Sequence, residues 1–436
     1  IIMNIQNKLN FSRRIRRTPF TASVEKYGVT GFSVVNHTLL PKSFQNSIED
    51  DYLHLQKYAQ IWDVGCQRQV EIKGKDALKL IELMTPRSIS ELKSGKCLYI
   101  PLTDENGGII NDPILIKISD EHYYLSVADS DVLLWARGLA IGFGLNVRIR
   151  EPDVWPLAVQ GPKAAYVLAK VFGERIHSIK KFNFDYFPLD GSSQLIAKTG
   201  YSRIGGFEIY LSRPELGTFL WETILEAGKS ENIRPGSPNI IDRVEAGLLS
   251  YGNEMTVENT PLECNMDKFL DIYKEEDYIG KKVLLRQIKY GIKRRIKGVI
   301  YKGPQLPTIS RPLQVFDTDK KINCIDLNLF SGSLDTIRFA MGAYYHLSAS
   351  DEFGGNFSVY NGAGLESDLL DTGPSQEEFS GVAAYYCDTN HNISYTQMNT
   401  DLVVTSSKDL SFKSIKVPVR LIGDPSNISN DQQWTP

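Results

Sequence analysis

Five cysteines are few for 436 residues, and Cys66, Cys97, Cys264, Cys324 and Cys387 are scattered without metal-ligand spacing. An odd, dispersed set excludes a disulfide framework and a structural zinc site, and reduced thiols in a cytoplasmic protein are the expectation. No apolar run reaches the ~18 residues that a membrane-spanning helix requires, so no membrane partner is expected. Arg13, Arg14, Arg16 and Arg17 make the N-terminus basic, but no apolar segment follows, which is not the pattern of a secretory signal. No G-x-G-x-x-G opens a helix, and neither a P-loop nor an H-E-x-x-H is present, which leaves the common nucleotide and zinc chemistries unsupported. The six histidines show no pairing with a nucleophile, and no metal is expected.

Charge of one sign is also scarce, with a net of only −3. That small number hides an asymmetry: residues 309–436 carry 8 Lys+Arg against 16 Asp+Glu, a net of −8, which leaves +5 on residues 1–308. Such a mild positive balance suits a small anionic ligand and is far too weak for nucleic acid. The segment Gly303-Pro304-Gln305-Leu306-Pro307 breaks any regular element and marks a boundary. Three regions are expected: 1–150 and 151–307, each α+β, and an acidic, β-rich 308–436.

What is present is periodicity. Ala77, Leu80, Ile81 and Met84 recur at helical spacing, and Pro86 ends that run. Helices are also expected over 44–58, 130–143, 162–171, 216–227 and 240–249. Strands are expected at 61–64, 69–72, 97–102, 114–118, 122–127, 157–160, 195–198 and 208–212. Antiparallel strands with helices beside them indicate an α+β fold rather than a βαβ series. The stretch Asp104-Glu105-Asn106-Gly107-Gly108 reads as a hairpin turn in which Asn and Gly supply positive φ, with Asp112 at the start of the returning strand. On the hairpin alone, Asp112 reads as a solvated turn acid before it reads as a functional group.

Seven fragments occur in order: Arg17-Thr18-Pro19, Trp62-Asp63-Val64, Gly107 to Asp112, Val159 to Pro162, Gly200-Tyr201-Ser202 with Gly205 to Ile209, Arg243 to Gly247, and Tyr278 to Lys281. In this set and order the chain resembles the folate-dependent aminomethyltransferase (glycine-cleavage T-protein) superfamily. Met84 to Arg87, Ala128 to Asp131, Glu254-Met255-Thr256 and Pro261 to Cys264 are most similar to its dimethylsulfoniopropionate demethylase branch. The resemblance implies T-protein-like antiparallel sheets with flanking helices in several domains. It also implies transfer of a methyl group from a sulfonium to N5 of tetrahydrofolate, a co-substrate. Aminomethyl transfer or N-demethylation, and folate binding without turnover, remain the alternatives; a homodimer is also left open. Asn36 to Pro41 replaces the aromatic-acidic segment of T-protein, which argues against aminomethyl-lipoyl chemistry. After Pro307 nothing of the family's closing domain is recognisable.

The resemblance assigns roles residue by residue. Asp112 falls at the catalytic aspartate and Glu208 at the folate-gripping glutamate. Tyr99, Ser126 and Tyr210 fall at substrate positions, and Tyr201 and Tyr210 at folate positions. Arg243, whose planar fork suits a carboxylate, is expected to hold folate or substrate. A sulfonium over an aromatic face gains roughly 0.5–2 kcal/mol, which brings in Tyr99, Tyr201, Tyr210 and Trp135. Trp135 has no match in the resemblance and reads as core, and Tyr251 and Glu254 read as supporting residues or core.

Overall fold

The computed structural model describes residues 14–303, together with the backbone of the strands at 313–317, 325–330, 340–345, 357–361, 379–387, 400–406 and 414–421. The N-terminal stretch to residue 13, Cys324 and the proline segment 304–307 lie outside the described residues.

Two sheets organise the body. The first has five antiparallel strands in the order Arg148–Arg150, Arg68–Lys73, His122–Val127, Ile114–Ser119, Lys96–Tyr99. Alternation along each strand decides where its side chains go. Val70, Ile72, Leu115, Tyr123 and Leu125 form one core with the helices Ala77–Met84 and Val132–Gly142. Ala77, Leu80, Ile81 and Met84 are the buried stripe of the first helix, as their spacing predicts. Ile114, Ile116 and Tyr124 point the other way.

The second sheet has six strands in the order Phe184–Leu189, Ser192–Ala197, Gly206–Leu211, Trp155–Gln160, Gln60–Asp63, Arg234–Gly236, antiparallel except for the last pair. Phe207, Ile209 and Leu211 join the core made with helices Ala164–Phe172 and Gly217–Ala227. Tyr210 faces instead the cluster of Cys97, Ile116, Phe184, Leu195 and Ala197, to which both sheets contribute. The result is four layers, helix–sheet–sheet–helix, with the sheets face to face. Gln60–Asp63 belongs to the second sheet, so that sheet draws on both sides of the division expected at 150.

Helix lengths depart from expectation at two places. The helix expected over 44–58 is Ile48–Leu55, because Ser47 accepts a hydrogen bond from the Asp50 amide and sets the start one turn later. The helix expected over 240–249 stops at Glu245, and Gly247 at φ +65° turns the chain away. Arg295–Gly303 opens a closed eight-stranded barrel, continuing through Phe379–Cys387, Ala340–Tyr345, Ile325–Phe330, Leu313–Asp317, Phe357–Asn361, Thr400–Ser406 and Ser414–Leu421. The tail is thus strand-rich as expected, and its first strand begins before residue 308. No helix among the described residues is long and apolar enough to cross a membrane.

The hairpin at 102–111 docks on the loop-rich segment that follows Gly247. Thr103 Oγ1 donates to the Ile279 carbonyl at 2.6 Å, and the Ile109 amide donates to the Asn259 carbonyl at 2.8 Å. Gly107 takes φ +75°, whereas Asn106 keeps negative φ, so only one of the two turn residues supplies the positive φ expected of both. Gly108 needs to be glycine for a different reason: a Cβ there would overlap the Val257 carbonyl. Gly108→Ala is therefore expected to destabilise the fold by about 1–3 kcal/mol, the range for forcing atoms into a packed site. Chemical denaturation checks this; an unchanged midpoint would show that the 257 loop yields freely.

Candidate functional site

The hairpin resolves which of its acids is structural. Asp104 Oδ1 accepts from the amides of Asn106 at 2.9 Å and Gly108 at 2.7 Å, so this side chain closes the turn. Asp112 lies beyond the strand Ile109–Asn111 and accepts from the Tyr99 hydroxyl at 2.9 Å. Its surroundings push the carboxyl up to about 7: burial is the main cause and the Glu254 charge adds to it, while the Tyr99 hydrogen bond opposes both. Neighbouring Asn111 is fully buried and donates to Ser130 Oγ at 2.8 Å, which fixes the strand end that carries Asp112.

Tyr99 sits edge-on to Phe269, with ring centroids 4.9 Å apart, and its hydroxyl lies 3.9 Å from Met266 Sδ. Burial and the Asp112 charge hold its phenol well above the ordinary tyrosine range, so it stays a hydrogen-bond donor. Removing that donor removes a stabiliser of the Asp112 carboxylate. Tyr99→Phe is accordingly expected to raise the Asp112 pKa, so that the acidic limb of any Asp112-dependent activity moves to higher pH. An unmoved limb in a pH–rate profile would contradict it.

Glu208 lies across the space between the sheets, on the same strand face as Tyr210. It is 4 % exposed, and burial pushes its carboxyl up. The Thr199 hydroxyl donates to Oε2 at 2.5 Å and the Tyr210 hydroxyl to the same oxygen at 3.5 Å. Among the described residues no cation pairs with it and no hydrogen bond reaches Oε1. A buried carboxylate without a cation is costly to keep. Ser126, near Tyr210, accepts from Gln69 Nε2 at 2.9 Å.

Tyr201 donates to the carbonyls of Leu248 at 3.2 Å and Leu249 at 3.0 Å, and its surroundings include Asp112, Arg243 and Glu254. Arg243 is where expectation and structure part. Its fork meets Glu254 in a bidentate pair, Nη1 to Oε2 and Nη2 to Oε1, both at 2.9 Å. Both side chains are buried, at 5 % and 4 % exposure. The guanidinium therefore does not offer its fork to a ligand carboxylate, and neither Asp242 nor Glu245 is its bidentate partner. Trp135 lies with the first sheet's helix-side core and not in the cleft.

Asp112, Tyr99, Tyr201, Ser126, Tyr210 and Glu208 are thus brought together between the sheets. Thr199, Gln69, Met266 and Phe269 were missed by sequence reasoning. Thr199 had a signal, since it begins the turn that carries Tyr201. Phe269 and Met266 had none, because their contact with Tyr99 exists only in the fold. Two cavities of about 440 and 320 Å³ lie elsewhere, the first lined by Leu262, Ile272 and Ile292, the second by Arg16, Arg68 and Glu151. No cluster of metal-ligating side chains occurs among the described residues.

Face-to-face sheets with helices outside and a closing barrel make a T-protein-like fold. The crystal structure of glycine cleavage system aminomethyltransferase T from Bartonella henselae superposes with a TM-score of 0.69 at 21% identity, covering 94% of this chain and 98% of its own. The chain belongs to the aminomethyltransferase (glycine-cleavage T-protein) family: the family model described as GCVT N-terminal domain matches residues 20–274. It is 48% identical to dimethylsulfoniopropionate demethylase DmdA of Ruegeria pomeroyi over 292 residues, 67% of this chain and 79% of that protein. It is 34% identical to an aminomethyltransferase of Natranaerobius thermophilus over 267 residues, 59% of this chain and 72% of that one.

Proposed function

We propose that the chain is a tetrahydrofolate-dependent demethylase that moves a methyl group from dimethylsulfoniopropionate to N5 of tetrahydrofolate, giving methylmercaptopropionate and 5-methyltetrahydrofolate. The observation that carries this reading is the buried Tyr99–Asp112 pair between the sheets, in a chain 48% identical to a protein of that name. The lower identity to aminomethyltransferases, 34%, favours it over aminomethyl transfer.

Tetrahydrofolate supplies the nucleophilic ring nitrogen. The residues present fit it: Glu208 is a buried carboxylate without a cationic partner among the described residues, and an amino-pyrimidine edge offers paired N–H donors to such a group. Tyr210 lies beside that carboxylate, and Tyr201 stands near Asp112. Thr199 and Tyr210 orient the Glu208 carboxylate through Oε2.

The methyl–sulfur bond breaks with its electron pair passing to sulfur, and the thioether that leaves is neutral, so no general acid is needed there. Asp112 takes the proton that the ring nitrogen gives up on methylation, which requires its carboxylate form. Tyr99 keeps that carboxylate oriented and sets an aromatic face near the sulfonium. Holding both ligands in line supplies most of the rate.

The test is to supply the purified protein with tetrahydrofolate and either the sulfonium or an aminomethyl-lipoyl carrier. Methyl-tetrahydrofolate from the sulfonium alone is the expected result. Methylene-tetrahydrofolate from the carrier would overturn the reading, and tight folate binding without product from either would leave a folate-binding protein.

A further inference from the structure

Resting on that reading, we propose that Glu254 is a positioning residue: it clamps Arg243 and the 248–250 loop so that the Tyr201 hydroxyl is held between the sheets. The geometry is a closed circuit. Glu254 Oε2 accepts from Arg243 Nη1 and from the Ser250 amide, each at 2.9 Å, while Oε1 accepts from Arg243 Nη2. Arg243 Nη1 also reaches the Leu248 carbonyl at 3.3 Å, the same oxygen that accepts from Tyr201. Gly247 at φ +65° and Gly252 at φ +86° let the chain turn sharply on either side, which brings residue 254 back beneath residue 243.

A buried bidentate pair of this kind contributes little net stability, because desolvation cancels most of the attraction. What it does provide is a fixed arrangement. The Leu248 and Leu249 carbonyls are presented as a pair of acceptors, and Tyr201 can satisfy both only while the loop keeps this shape.

The pair also sets the field at Asp112. That carboxyl is faced by Tyr99 from the strand Lys96–Tyr99, by Tyr201 from the turn after Ala197, and by Tyr251 and Glu254 from the loop, with Arg243 behind Glu254 and Cys264 beside Tyr99. Of these only Glu254 and Arg243 carry opposite full charges. Neutralising Glu254 leaves the Arg243 cation uncompensated and favours the Asp112 carboxylate.

Two variants separate the clamp from the charge. Glu254→Gln removes the charge and keeps the shape, while Glu254→Asp keeps the charge and shortens the clamp by one methylene. The Asp112 carboxyl is titrated directly in the full chain by carbon-13 NMR of labelled aspartate, assigned with Asp112→Asn, and tetrahydrofolate affinity is measured by calorimetry. Glu254→Gln is expected to lower the Asp112 midpoint by about one pH unit. Glu254→Asp is expected to leave that midpoint in place and weaken tetrahydrofolate binding by roughly tenfold, the loss of about one hydrogen bond to a charged group. An unmoved midpoint in Glu254→Gln, or full affinity in Glu254→Asp, would overturn the proposal. Should Glu254→Gln fail to fold, Glu254→Asp still decides the clamp. The titration needs no methyl donor, so failure of the proposed reaction in the unaltered chain is seen separately.

Discussion

Asp112→Asn is expected to bind tetrahydrofolate normally and to lose methyl transfer by about 10²–10⁴-fold, the range for removing a general base. Asparagine keeps the shape and can still accept from the Tyr99 hydroxyl, so the fold and the cleft should persist. What it lacks is a lone pair basic enough to take a proton from the methylated nitrogen. The pH dependence carries the same signature with a definite sign. Burial raises the Asp112 carboxyl to about 7, so below that pH the group is neutral and cannot accept. Turnover in the unaltered chain should therefore fall as pH drops through 7, and the limb should vanish from the residual rate of Asp112→Asn. A bound sulfonium cation would move the limb acid-ward, since an opposite charge favours the carboxylate. Single-turnover rates across pH check both points, and a variant as fast as the unaltered chain would remove Asp112 from the chemistry.

Glu208→Ala is expected to weaken tetrahydrofolate by roughly 10- to 100-fold, corresponding to about 1.5–3 kcal/mol for a hydrogen bond to a charged group. Its effect on stability should be of the opposite kind. The unfolded chain solvates this carboxylate, whereas the folded chain buries it with, among the described residues, only Thr199 and Tyr210 as donors. Truncation relieves that desolvation, at the cost of leaving two hydroxyls without their acceptor. A large loss of affinity with little loss of melting temperature is the pattern of a residue kept for binding. Glu208→Gln is a finer probe, because its amide places a donor where the ligand also donates. Calorimetric titration and thermal melts read the two effects separately; unchanged affinity would take Glu208 out of the site.

The fold was legible wherever a single strand or helix carried its own evidence. Ala77, Leu80, Ile81 and Met84 announced their helix, and the alternation in His122–Val127 announced a strand with two different faces. Layering was not legible, because it depends on which sheet each strand joins: Gln60–Asp63 reads as a strand but crosses to the second sheet. The site divides in the same way. Asp112 and Glu208 stand in local motifs that could be matched residue by residue. The separation of Asp112 from Asp104 by geometry required the turn itself, where Asp104 is committed to the backbone. Arg243 shows the limit most plainly. It was expected to hold folate or substrate, yet its fork is taken by Glu254, brought back by a loop whose path no periodicity encodes. The tail posed the reverse problem: no family motif is recognisable after Pro307, yet the described strands there close an eight-stranded barrel with Arg295–Gly303.

The most direct test of the account is a single turnover of the full chain with tetrahydrofolate and dimethylsulfoniopropionate labelled in its S-methyl groups. The account predicts that one label appears in 5-methyltetrahydrofolate for every methylmercaptopropionate formed, with the other label retained on sulfur. Formation of the thioether without label in the folate, or no consumption of the sulfonium by protein that binds tetrahydrofolate, would contradict it.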